Sequence, residues 1–194
     1  MDQVSTSATL WELPNELLLL IIQDLDNASI FNFGLTCRLM NSIALNYFFV
    51  LNNITGLGLG RFVGFQNQPI ETLPALRSAL FVKRLSYFDF DLNPGIERMR
   101  SEVSDIRALA ARLQAMGVVS IHFPHGERIP RSWRRSKCLP MDSWYKTVSS
   151  LLVTVLEKGY TELHVVGGTH FSGLYEDDMP SRKLMKAEGT TGFI

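Results

Sequence analysis

Four histidines, two cysteines and several close pairs of acids are the side chains in this 194-residue chain whose types could do chemistry. His122 and His125 lie in IHFPHGE, and His164 and His170 lie in ELHVVGGTHF. A zinc hydrolase of the common type needs two histidines one helical turn apart with a glutamate between them, and neither pair has that HExxH spacing. Cys138 could complete a mixed site only without the closely paired ligands from which tetrahedral zinc sites are built. Around Ser172 the string GTHFSG is not the G-x-S-x-G turn that exposes a nucleophilic hydroxyl. Gly56, Gly58, Gly60 and Gly64 miss the spacing of a kinase nucleotide loop, with Val63 where the third glycine belongs, and no His-Arg-Asp or Asp-Phe-Gly follows. Nor does a Lys-Ser or Lys-Thr follow them, as a phosphate-binding loop requires. Glu176, Asp177 and Asp178 read as a solvated run. The chain is therefore expected to hold no catalytic site, no metal and no cofactor.

Charge offers a different chemistry. The chain is neutral overall, but residues 1–50 carry five acids against Arg38 alone. The densest basic run is ERIPRSWRRSKCLP, with Arg128, Arg131, Arg134, Arg135 and Lys137 between Pro130 and Pro140, so it reads as a loop. Arginines pair bidentately with carboxylates and phosphates, and Trp133 among them adds an aromatic surface. Arg131, Trp133, Arg134 and Arg135 are thus candidates for contact with an acidic or phosphorylated protein. No nucleic-acid-binding signature accompanies them, and no nucleic acid is expected as a partner.

The elements that would present such a loop begin with an apolar surplus. In residues 11–49, Pro14 suits a first helical turn, where its missing N–H costs nothing. At helical spacing Leu17, Leu18, Ile21, Ile22 and Leu25 cover an arc of roughly 140°, more than the stripe of about 100° that a surface helix needs to bury. Leu19 and Leu20 add to it. Asp26 or Asn27 can cap a second helix with Ala28, Ile30, Phe31 and Phe33, ending near Gly34. Thr36 can cap a third, with Leu39, Met40, Ile43, Ala44 and Tyr47. Helices this short must pack on one another or on a partner, and surplus apolar surface usually marks an interaction site.

Leu13, Pro14, Glu16, Leu17, Ile21 and Leu25, then Ile30, then Thr36-Cys37-Arg38 with Leu39 and Met40, ending at Ile43-Ala44, resemble the F-box. Thr-Cys-Arg looks like the fungal form; Met40 stands where the family often has Trp, and Thr36 where it often has Val. The resemblance implies a three-helix unit whose apolar surface, here Leu13, Pro14, Leu17, Ile21, Leu25, Ile30, Cys37 and Met40, binds the Skp-family adaptor and through it a cullin. It implies a non-catalytic, substrate-recognition subunit of an SCF-type ubiquitin ligase, with an unknown protein substrate. A helical and βα interaction scaffold unrelated to ubiquitin is the alternative.

Beyond residue 50 the pattern changes. NNITGLGLGRFVGFQNQP reads as a linker over residues 51–71. Residues 72–81 read as a helix, 85–92 as a strand, 96–116 as an amphipathic helix stopped by Gly117, 118–123 as a strand, 143–158 as a helix stopped by Gly159, and 162–166 as a strand. Right-handed crossovers would make these strands parallel with helices outside. The expected class is mixed α and β: an F-box at 11–50, the linker, a leucine-rich-repeat-like or small α/β target-recognition region at 72–166, and a polar, flexible tail at 167–194. No LxxLxLxxN string is present. No terminal cap for a repeat array is visible after the last strand. The longest unbroken apolar run, Leu17 to Ile22, is too short to span a bilayer, MDQVSTSAT lacks the features of a secretory signal, and two distant cysteines read as reduced thiols. A cytoplasmic or nuclear protein with no membrane partner is expected.

Overall fold

The computed structural model describes residues 10–64, 67–123 and 141–166. The helical unit comes first. Helix α1 (Asn15–Gln23) starts directly after Pro14, whose extended ψ of 147° places it just outside the helix while its carbonyl accepts from the N–H groups of Leu17 and Leu18. Helix α2 (Asn27–Gly34) is capped by Asp26, whose Oδ1 accepts from the Ser29 N–H at 2.7 Å. Hydrogen bonding from Ser29, its hydroxyl first and its backbone N–H second, favours the ionised form and holds the Asp26 carboxyl below its usual range. Helix α3 (Arg38–Leu51) starts after Cys37. Thr36 does not cap it as expected: its hydroxyl donates back to the Phe33 carbonyl at 2.7 Å and finishes α2 instead.

Four strands follow, β1 (Arg61–Gly64), β2 (Arg84–Asp91), β3 (Ala115–His122) and β4 (Glu162–Val166), with α4 (Thr72–Ser78), α5 (Ile96–Arg112) and α6 (Met141–Leu156) between them. The sheet is parallel throughout, in the order β1-β2-β3-β4. Buried Phe62, Phe88, Phe90, Val119, Ile121 and Leu163 point to one side, where they join a single core with buried residues of α3, α4, α5 and α6. Tyr87, Asp89, Val118, Ser120, His122 and His164 alternate with them and are only half-buried. All the connecting helices therefore cover the same face.

Two glycines mark where backbones come close. A Cβ at Gly117 would lie 2.4 Å from the Ser86 carbonyl oxygen, so β3 can approach β2 there only without a side chain. Gly117 is a strand residue, not the stop of α5. The helix ends at Arg112, where Leu113 turns extended. Gly64 is the second, for a Cβ there would sit 2.4 Å from the Phe90 ring. It lies in β1, inside the stretch expected to be a linker. Glycine and asparagine density disguised that strand, which is four residues long.

The helical unit and the sheet share one core, which runs from Ile22 to Leu163. Phe49 on α3 meets the Phe81 ring edge-on at 6.4 Å between centroids. Asn41, also on α3, is 5% exposed. Its amide donates to the carbonyls of Gly34 and Ser78, each at 3.0 Å, and accepts from the Leu80 N–H at 2.8 Å. One side chain thus ties the end of α2 and the end of α4 to α3. Among the described residues no helix is long and apolar enough to cross a membrane. Residues 167–194, expected to be a flexible tail, lie outside the described residues.

Replacing Asn41 by Leu keeps the volume and leaves the buried Gly34 carbonyl and the part-buried Ser78 carbonyl and Leu80 N–H without this partner. Each such orphan costs about 1–3 kcal/mol, so N41L should lower the unfolding free energy by about 3 kcal/mol or more in urea titration. Because Asn41 lies between the helical unit and the sheet, the loss should appear in one cooperative transition rather than in two separate ones.

Candidate functional site

Helix α1 divides its apolar arc between two tasks. Leu18 and Ile22 are fully buried, and Leu25 is half-buried against the core. Leu17, Leu20 and Ile21, at i, i+3 and i+4 on a neighbouring side of the helix, are 46%, 58% and 41% exposed. Leu35 at the end of α2 and Leu39 in the first turn of α3 are also exposed, as is Leu10 before α1. Such a density of large exposed apolar side chains in so short a stretch is what an interaction surface requires and what folding alone disfavours.

The eight residues expected to make that surface fall into three groups. Pro14, Leu17 and Ile21 are exposed, while Leu13, Leu25 and Cys37 are half-buried. Ile30 and Met40 have no exposed surface at all. Ile30 belongs to the core with Ala44, Leu45 and Phe48, and Met40 lies on the same row of α3 as Ala44 and Phe48. These two side chains are enclosed within the chain and are not part of its exposed apolar surface. Leu20, Leu35 and Leu39, not among those eight, are exposed instead. Leu20 was legible as part of the surplus, but adjacent pairs such as Leu39-Met40 carry no sign of which member faces inward until the α2–α3 packing is known. That packing rests on Gly34, where a Cβ would lie 2.7 Å from a methyl of Leu45.

The second expected surface, Arg131, Trp133, Arg134 and Arg135, lies outside the described residues, as do His125, Cys138, His170 and Ser172. Among the described residues, one face of the sheet has no helix over it. Asp89 Oδ1 is 2.8 Å from His122 Nε2, Asp91 Oδ1 is 3.9 Å from His122 Nδ1, and Ser120 Oγ is 3.2 Å from Nε2. The Tyr87 hydroxyl donates to Asp89 Oδ2 at 3.3 Å, and the Arg61 guanidinium lies over the Tyr87 ring at 5.4 Å. Burial and, second to it, the Asp89 charge push the Tyr87 hydroxyl above its usual pKa. A polar strip thus crosses β1, β2 and β3.

Serine, histidine and aspartate together invite comparison with a nucleophilic relay, and the distances argue against one. In a relay the hydroxyl and the carboxylate occupy opposite ring nitrogens, so that one nitrogen is free to take the serine proton. Here Ser120 and Asp89 share Nε2. An Nε2–H donated to Asp89 leaves that nitrogen no lone pair for Ser120. Among the described residues no group of three or more His, Cys, Asp or Glu side chains could hold a metal ion.

Residues 10–49 match the family model of the F-box-like domain. The match spans the turn before α1, all of α1 and α2, and most of α3. Comparison with curated proteins gave no match. Comparison with solved structures gave none either.

The division of α1 makes a direct prediction about stability. Leu18→Ala and Ile22→Ala each remove packed core atoms and should cost about 2–5 kcal/mol. Leu17→Ala, Leu20→Ala and Ile21→Ala, on the exposed side, should stay within about 0.5 kcal/mol of the parent chain. Thermal and urea unfolding of the single variants checks both halves of the claim.

Proposed function

We propose that this chain, which carries an F-box-like domain at residues 10–49, is a substrate-recognition adaptor of an SCF-type ubiquitin ligase: it binds the Skp adaptor through the helical unit and a target protein through the βα region. The observation that supports it most is the exposed leucine and isoleucine face of α1, together with Pro14, Leu35 and Leu39. In free solution that face is unrewarded apolar surface. Its burial against an adaptor would contribute about 25 cal/mol per Å² removed from water. The chain would catalyse nothing itself. By holding adaptor and target at once it would raise the effective concentration of target lysines near a ubiquitin-carrying enzyme.

Two regions are proposed for the target. One is the polar strip of the uncovered sheet face, where Arg61, Tyr87, Asp89 and His122 brace one another across strands. Groups already held in place lose little entropy on binding. The other is the basic loop with Arg131, Trp133, Arg134 and Arg135, whose chemistry suits an acidic or phosphorylated segment.

Changing Leu17, Leu20 and Ile21 together to Ala should lower adaptor affinity by orders of magnitude in a purified pull-down or calorimetric titration, since each lost methylene or methyl is worth about 0.8 kcal/mol. Circular dichroism should remain that of the parent. Full binding by the folded triple variant would defeat the adaptor reading and leave an interaction scaffold unrelated to ubiquitin in its place.

The basic loop is tested separately. Changing Arg131, Arg134 and Arg135 to Glu should abolish capture of a protein target while adaptor binding persists. Loss of the adaptor, or tight DNA or RNA binding by the parent chain with steep salt dependence, would count against this division of roles.

A further inference from the structure

Strand pairing lines up four side chains in one row across the sheet: Arg61 of β1, Tyr87 of β2, Val118 of β3 and Glu162 of β4 are successive partners. Each immediately precedes a buried residue, Phe62, Phe88, Val119 and Leu163 in turn, so all four stand on the side away from the core. The ends of the row are exposed and opposite in charge. Arg61 rests over the Tyr87 ring at 5.4 Å, a contact with an aromatic face and not with a carboxylate. Glu162, its side chain 56% exposed, has Oε2 at 3.0 Å from His164 Nε2, and an imidazole brings no charge until it is protonated. Tyr87 and Val118 between them are half-buried and supply a ring and two methyl groups. The acids of the adjoining rows, Asp89 and Asp91, are turned to His122, and Asp89 also accepts from the Tyr87 hydroxyl.

The spacing of the row selects an occupant. Neighbouring strands lie about 4.8 Å apart, so three intervals put Arg61 roughly 14 Å from Glu162. An extended chain advances about 3.4 Å per residue with alternate side chains on one side, so its residues i, i+2 and i+4 also span roughly 14 Å. A segment lying across the strands would then set an acid at one end on Arg61, an apolar residue over Tyr87 and Val118, and a base at the other end on Glu162. A helix fits poorly, because its residues i and i+4 are only about 6 Å apart along the axis. A segment with two like charges would gain attraction at one end and meet repulsion at the other.

We propose that this face of the sheet reads an extended segment that carries an acidic and a basic side chain four residues apart with an apolar one midway, laid across the strands along the row from Arg61 to Glu162. The chemistry of the segment stands on the row alone. Its attribution to a target rests on the adaptor reading above.

The test titrates the full-length chain, at low salt and millimolar probe, with the peptide acetyl-Glu-Thr-Leu-Thr-Lys-amide. The same peptide with lysine at both ends, and with glutamate at both ends, serve as comparisons. Saturable shifts in the amide NMR spectrum are expected for the mixed peptide, with each like-charged peptide weaker by at least about threefold, the scale of an exposed ion pair exchanged for a repulsion. Arg61→Glu leaves an acid at each end of the row and should make the dilysine peptide the best ligand. Glu162→Lys, at the opposite edge of the sheet and away from the Tyr87 ring, should make the diglutamate peptide the best. Circular dichroism checks that both variants are folded. Equal binding of the three peptides by the parent chain, no saturable binding of the mixed one, or an unchanged preference in either folded variant overturns the proposal. So does a parent chain that prefers the dilysine peptide, since the acids of the face would then act as an undirected field. Adaptor pull-down on the same samples should be unchanged by R61E and E162K. A chain that keeps the peptide preferences but binds no adaptor refutes the ligase reading and leaves the row intact, and adaptor binding without those preferences does the reverse.

Discussion

A parallel sheet whose strands run in chain order has its connecting helices on one side, and that one-sidedness governs the rest of this molecule. Right-handed crossovers between neighbours in the order β1-β2-β3-β4 send α4, α5 and α6 to the same face. That face must then be apolar and the other tolerant of water. The aromatic triad Phe62, Phe88 and Phe90 occupies the covered face, with centroids 5.4 to 6.3 Å apart, and Gly64 keeps the space above Phe90 free of a side chain. On the opposite face the same strands carry Asp89, Asp91, Ser120 and His122, paired among themselves. A doubly wound fold would cover both faces and have no place for these charges.

One-sided arrays have exposed core at each end, and a terminal element must close them. A cap after the last strand was the natural thing to seek in the sequence. In the structure the closing element at the β1 and α4 end precedes the sheet: α3 brings Phe49 to Phe81 and Asn41 to the end of α4. The helical unit therefore has a structural duty besides any partner it binds. This explains why its apolar content exceeds what a free-standing three-helix unit could hide, since part of the surplus is spent on the sheet and part remains outside.

What could be read from the sequence was what depends on local pattern. The period-two run from Leu85 and the helical periodicity after Ile96 led to β2 and α5, and Pro14 and Asp26 led to the starts of α1 and α2. Failures came where the deciding contact was distant. Gly117 looks like a helix stop until the Ser86 carbonyl lies against it. β1 is too short and glycine-rich to show alternation, and it exists because β2 pairs with it from Arg61 to Gly64. Ile30 and Met40 carry the expected residue types for an exposed patch, but the burial of one member of an adjacent apolar pair is decided by helix packing.

On the proposed function, the continuity of the core bears on mechanism. A flexible linker between adaptor-binding and target-binding parts would let a captured target sample a large volume, and effective concentration falls as that volume grows. Here the row Ala44, Leu45, Phe48 and Phe49 on α3 belongs to the same core as Phe62 of β1 and Phe88 of β2. The side of α1 that faces outward is fixed, through Ile22 in that core, relative to the strands. A partner docked on Leu17, Leu20 and Ile21 would thus be held at a set orientation to anything bound at the sheet face. On that proposal, proximity would act through rigid placement, and geometry rather than chance collision would decide which target lysines can be reached.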